Sequence, residues 1–267
     1  MTESHELAGR ALLDWWGLAG VDLDDARAIL RAPLPAPVRA PAATAPREPT
    51  PKRTPVDPAL GAATELARSA KTVADLRAAV EAFEGCGLKA AARNTVFGDG
   101  VESAEVLLIG EGPGREEDEQ GKPFVGRSGQ LLDRMLASIG LSRQTNVFIS
   151  NVVYWRPPGN RPATQGELAA CLPFVERLIT LMAPKMLLLA GGVAAQTVLR
   201  RAEGVTKLRG RRLVLQPKEL TSPINALVML HPAYLLRQPQ QKRLAWADLL
   251  ALAAWLDELG VATGPRL

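Results

Sequence analysis

From Val106 onward the apolar residues fall into two alternating rhythms. Four short unbroken runs, Val106–Ile109, Val147–Ser150, Met186–Leu189 and Ala226–Leu230, have the length and composition of strands buried on both faces. Between them the spacing turns helical. Leu131, Leu132, Met135, Leu136 and Ile139 repeat along one face, with Gly140 placed to end that helix. Leu244, Leu249, Leu250, Leu252, Ala253 and Leu256 form a closing amphipathic helix. Strands alternating with helices predict an α/β fold in three layers, a parallel sheet of four strands covered by helices on both sides.

Upstream the pattern differs. Residues 4–31 read as one or two short helices with Leu7, Leu12, Leu13, Trp16 and Leu18 on a broad apolar face. A stretch dense in proline and alanine comes next, from Pro33 through Pro35, Pro37, Pro41, Pro46, Pro49, Pro51 and Pro55. Proline at that density removes amide donors and breaks helices, so the reading is a disordered linker. Helical periodicity returns at Thr72–Phe83. The expected organisation is a helical segment at 1–31, a linker at 32–62, an α/β domain at 63–260 and a tail at 261–267.

Composition adds little beyond this. The chain of 267 residues is 47% hydrophobic, enough for a sizeable core. No apolar run is long enough to span a membrane, and the N-terminus lacks the basic flank and apolar core of a secretory signal. Two cysteines, Cys86 and Cys171, suit a reducing compartment, so the expected location is the cytoplasm. A net charge of +4 is compatible with a polyanionic partner without demanding one.

The informative polar residues come directly after the strands. The first run leads into Gly110-Glu111-Gly112-Pro113-Gly114, the second ends at Asn151, the third meets Gly191-Gly192 and the fourth ends at His231-Pro232. Ligands of open α/β sheets bind beyond the carboxyl ends of the strands, so these four points should surround one cleft. The glycine-rich segment has neither Walker nor Rossmann spacing, which weakens a nucleotide-binding reading. Phe124, between Pro123 and Gly126 on a polar loop, is placed to stack on a planar ligand. A histidine at a strand end is ordinarily a satisfied structural residue. The residues just beyond His231 shift the balance: Tyr234-Leu235-Leu236-Arg237 supplies apolar wedges and a cation, as a loop that extrudes a base requires. Asn151 carries an amide able to read a pyrimidine edge with one acceptor and one imide N–H.

These segments, together with Gly121-Lys122-Pro123-Phe124-Val125-Gly126, Gly129-Gln130-Leu131-Leu132 and Arg156-Pro157-Pro158-Gly159-Asn160-Arg161, resemble the signature of the iron–sulfur (family 4) uracil-DNA glycosylases. The resemblance runs in order from about residue 83 to 250. It implies an enzyme that flips uracil from DNA and hydrolyses its N-glycosidic bond, leaving an abasic site for base excision repair. Phe124 would stack on the base, Asn151 would read its Watson–Crick edge, and the backbone of Gly112 and Gly114 would line the pocket. His231 would stabilise the departing anion, while Glu111 and Glu117 would place the water or stabilise the sugar cation. Arg156, Arg161, Tyr234, Leu235, Leu236 and Arg237 would contact DNA. A second reading, from the binding class, is a protein that recognises uracil or abasic DNA with little turnover.

The resemblance also implies a [4Fe-4S] cluster on four cysteines. Here the four positions are Phe83, Cys86, Trp155 and Cys171, so only two ligands remain. The expectation is therefore a member without cluster or other metal, its aromatic replacements packing where the cluster would lie. The expected partner is uracil-containing DNA, acted on by a monomer not associated with membranes. The N-terminal helices, with Trp15 and Trp16, are candidates for binding an unidentified protein partner.

Overall fold

The computed structural model describes residues 58–265. The expected helices at 4–31 and most of the expected linker lie outside that range. The fold opens with helices α1 (Pro58–Ser69) and α2 (Val73–Ala82). Helix α1 begins inside the stretch assigned to the linker. Proline is compatible with the first helical turn, whose N–H groups lack intrahelical acceptors anyway, so Pro58 starts this helix where a proline count suggested none. Helix α2 is capped reciprocally: Thr72 Oγ1 accepts from Asp75 N–H at 3.0 Å, and Asp75 accepts from Thr72 N–H at 3.0 Å.

The sheet has six strands in the order β1-β3-β2-β4-β6-β5. The four expected strands are present as β2 (Val106–Gly110), β3 (Val147–Asn151), β4 (Met186–Ala190) and β6 (Ile224–Met229), and they pair in parallel. Two short antiparallel strands, β1 (Gly98–Gly100) and β5 (Leu213–Leu215), flank them. Three residues are too few to show alternation, and Gly-Asp-Gly has no β propensity, so both edges escape the sequence pattern.

Each central strand buries both faces. Leu107 and Ile109 point into one core cluster, which includes Leu76, Phe174, Leu178 and Val198; Val106 and Leu108 point into the other, with Leu132, Leu136, Leu252 and Leu256. Helices α1, α2, α5 (Gln165–Met182) and α6 (Gly192–Leu199) cover the first face. Helices α4 (Arg127–Ala137), α8 (Pro232–Arg237) and α9 (Lys242–Glu258) cover the second. Short helices α3 (Arg115–Gln120) and α7 (Val205–Leu208) lie in connections. Past α9 the chain does not leave as a tail. Val261 is buried, and Gly264 N–H donates to Gly140 O at 2.7 Å, so described residues beyond 260 dock on the domain. Among the described residues no helix is long and apolar enough to cross a membrane.

Candidate active site

The carboxyl ends of the parallel strands open into a cleft of about 610 Å³, whose lining includes Glu111, Phe124, Asn160, Gln196, His231 and Arg237. The convergence of strand ends expected from the sequence is thus present. Gln196 and Ser128 also line the cleft and carried no sequence signal beyond lying on helices just past a glycine-rich turn.

At the floor, Asn151 and Gly110 are paired across β3 and β2. A Cβ on Gly110 would stand 2.6 Å from both Asn151 Oδ1 and the Phe124 ring, so only glycine lets the amide and the ring lie over this strand. Asn151 is buried, and its Oδ1 has no hydrogen-bond partner among the described residues. A buried orphan acceptor costs about 1–3 kcal/mol, which a ligand donor would recover.

His231 forms the opposite wall. It caps α8, its Nδ1 accepting from Ala233 N–H at 3.1 Å. A ring nitrogen that accepts carries no proton, so the neutral imidazole bears its hydrogen on Nε2. Burial, with Arg237 adding to it and Glu117 opposing, pulls the His231 pKa down from 6.5 to about 4. The ring is therefore a neutral donor at physiological pH. It stacks on Phe124 with centroids 5.6 Å apart and planes inclined at 29°.

Phe124 is held with force. Its φ of 52° is left-handed, a conformation an aromatic residue adopts only when surroundings impose it. Buried Arg143 donates to Pro123 O and Phe124 O, each at 2.8 Å, while ion-pairing with Asp99 and Asp133. On the other side of the loop, Glu117 accepts from Gly114, Val125 and Gly126 N–H, all at 3.0 Å. This revises the expectation for Glu117. Its two oxygens are engaged by backbone amides, so it ties the glycine-rich turn to the Phe124 loop and is poorly free to orient a water. Glu111 has no such engagement; it is half-buried on the cleft wall, and burial raises its carboxyl above the ordinary range. Arg143 was not singled out in the sequence, where Leu141-Ser142-Arg143-Gln144 reads as a polar surface turn.

The expected DNA-contact residues divide. Residues 232–237 form a short helix, not a loop, and Leu235 is fully buried in the core beneath it. Leu235 therefore cannot act as an inserted wedge; exposed Tyr234 and half-buried Leu236 occupy the outer positions. Arg237 is exposed at the cleft with no ion-pair partner among the described residues. Arg161 is engaged in a fork with Glu167, at 2.7 and 2.9 Å, which holds the glutamate near 2. Arg156 donates to Asn160 Oδ1 at 2.7 Å.

The four positions assigned to a cluster do come together in the core. Phe83 packs edge-on against Phe174 at 5.1 Å and lies 6.5 Å from Trp155, whose indole N–H donates to Thr95 Oγ1. The Cys171 thiol hydrogen-bonds the Cys86 sulfur, lowering Cys86 to about 7 and raising Cys171. Two sulfurs beside packed rings do not fit a four-thiolate cubane, and no group of three or more His, Cys, Asp or Glu among the described residues could hold a metal ion.

Comparison with known proteins agrees with this geometry. Residues 97–250 match the family described as Uracil DNA glycosylase superfamily. A type-4 uracil-DNA glycosylase of Sulfurisphaera tokodaii is 37% identical over 58% of this chain and 71% of its own length. The type-4 enzyme of Archaeoglobus fulgidus is 39% identical over 58% of this chain and 78% of its own. That of Thermotoga maritima is 36% identical over 66% and 90%. With a family match across more than half of its length, on the strands and loops that build the cleft, this chain belongs to the uracil DNA glycosylase superfamily.

Proposed function

We propose that the protein is a monofunctional uracil-DNA glycosylase that works without an iron–sulfur cluster. The observation carrying the first part is the unpartnered Asn151 Oδ1 at the cleft floor, facing the space between Phe124 and the strand ends. Uracil presents an imide N–H and a carbonyl, which match the Asn151 amide oxygen and NH₂. Cytosine presents an acceptor where the imide N–H would be and a donor where the carbonyl would be, so both contacts reverse.

With the base stacked on Phe124, His231 Nε2–H donates to uracil O2. As the C1′–N1 bond breaks, its electron pair moves into the pyrimidine, and the bond to O2 strengthens with the developing charge. Neutrality of His231 suits this role, since its donor is fixed by the bond at Nδ1 and needs no proton from solvent. Glu111 stabilises the sugar cation and takes the proton as water adds to C1′. Glu117 and Arg143 hold the platform. Tyr234, Leu236 and Arg237 meet the DNA.

The lack of a cluster is a consequence of the donor set. Phe83 and Trp155 supply no ligands, and their rings fill the core beside the two thiols. None of the cleft residues is among these positions, so excision is independent of iron.

The deciding assay incubates the protein with single- and double-stranded uracil-containing oligonucleotides and then with alkali. Strand breaks at uracil positions are expected. Breaks no more frequent than with Asn151→Ala would refute the enzyme reading and leave binding alone.

A further inference from the structure

A second concavity, of about 760 Å³, shares no lining residue with the cleft at the strand ends. Its walls come from α1, α5, the end of α6 and the edge strand β5. Four large hydrophobic residues stand out as exposed among those described, and two of them, Leu60 and Val214, line this groove. Val214 is 58% exposed on a strand whose outer edge has no neighbour in the sheet. An open apolar edge of this kind invites a covering element.

We propose that residues 7–18 of the same chain seat in this groove. Three observations select that occupant. The chain enters the described structure at α1, which itself forms one wall, so the preceding residues are tethered beside the groove. Charge is complementary: the groove presents Arg68, Arg177, Arg200, Arg201 and Lys218 against Glu176 and Glu219, whereas six carboxylates stand against one arginine between Glu3 and Asp25. The segment also has the right surface, since helical spacing places Leu7, Leu12, Leu13, Trp16 and Leu18 on one apolar face.

The intervening Pro-rich stretch, 32–57, reaches far enough. As a flexible coil it spans roughly 25–30 Å, and as polyproline up to about 80 Å. Tethering sets an effective concentration on the order of millimolar, so a contact too weak to form between separate molecules is populated within one. Docking here would cover the exposed sheet edge without obstructing the cleft, and it does not depend on the glycosylase reading.

Hydrogen exchange on the full chain tests the proposal. Amides of residues 7–18 should exchange at least about tenfold more slowly than in the free peptide. Leu60→Glu combined with Val214→Glu should release them, and Leu13→Glu should do the same from the other side of the contact. The groove positions are exposed, so their melting temperature serves as the folding control. Exchange at the free-peptide rate in the unaltered chain overturns the proposal. So does protection that survives both variants, or protection lost on dilution, which would mean that a second copy occupies the groove.

Discussion

The guanidinium of Arg143 donates to the backbone carbonyl of Phe124 at 2.8 Å, across nineteen positions of sequence. It thereby pins an aromatic residue in the left-handed region, against the ring of His231. Because Arg143 is 7% exposed, the fork is shielded from water and its loss cannot be offset by solvent.

Arg143→Met should therefore reduce both stability and turnover. Breaking a buried pair that leaves Asp99 and two carbonyls unsatisfied costs about 3–5 kcal/mol. Arg143→Lys keeps the charge but cannot serve two carbonyls and two carboxylates at once. It should retain most of the melting temperature while excision falls roughly 10-fold or more, through loss of the orientation that positioning groups supply. Thermal melts and single-turnover excision measured on both variants check this. Equal activity in Arg143→Lys and the parent would remove Arg143 from the site.

That contact also shows where sequence reading stops. The parallel strands were legible because each is a continuous apolar run buried on both faces, and Asn151 and His231 were legible because they end such runs. Phe124 was visible as an aromatic out of place on a polar loop. The groups that hold it were not, since Arg143 and Glu117 act through long-range bonds to backbone atoms that no local pattern records. Leu235 misled for a related reason. Adjacent leucines on a loop read alike, and only the helix at 232–237 turns one inward and leaves Leu236 nearer the surface. Pro58 misled because proline at a first helical turn looks, by composition alone, like more linker.

His231 should show its burial in two pH profiles. With its pKa near 4, excision should show no histidine inflection between about pH 5 and 8. Its stability effect runs the other way from a salt-bridged histidine. The unfolded chain takes up a proton below 6.5, whereas the folded one resists until about 4. Stability is thus full above pH 6.5, falls as pH drops through that window and levels off below it, by roughly 3 kcal/mol in all. Melting curves of the parent and His231→Gln across this range should converge toward acid. His231→Ala should lower turnover about 100-fold or more with little change in DNA affinity. Parallel losses in both would contradict a bond formed in the transition state.

The two arginines at the cleft should separate in salt titrations. Arg237 has a free guanidinium, whereas the Arg161 fork is already closed on Glu167. Removing one phosphate contact lowers the salt slope of DNA binding by about one. Arg237→Ala should show that change, and Arg161→Ala a smaller one. Glu167→Gln should open the fork and raise affinity at low salt. A reversed order would mean that DNA binding breaks the Arg161–Glu167 pair.

The core beside Cys86 and Cys171 yields the last prediction. If packing has replaced a cluster, protein purified without oxygen should contain no stoichiometric iron and no iron–sulfur charge-transfer absorption, and chelators should leave excision unchanged. Stability should instead depend on the rings. Phe83 is 2% exposed and touches both Phe174 and Trp155, so Phe83→Ala opens a cavity at a cost of about 3–5 kcal/mol. Phe83→Cys with Trp155→Cys supplies the two missing thiols and, by removing two rings, the space for a cubane. Anaerobic reconstitution of that double variant should incorporate iron, whereas the parent under identical treatment should not. Iron in the parent at cluster stoichiometry would show that two cysteines suffice and that the aromatic packing is not a replacement.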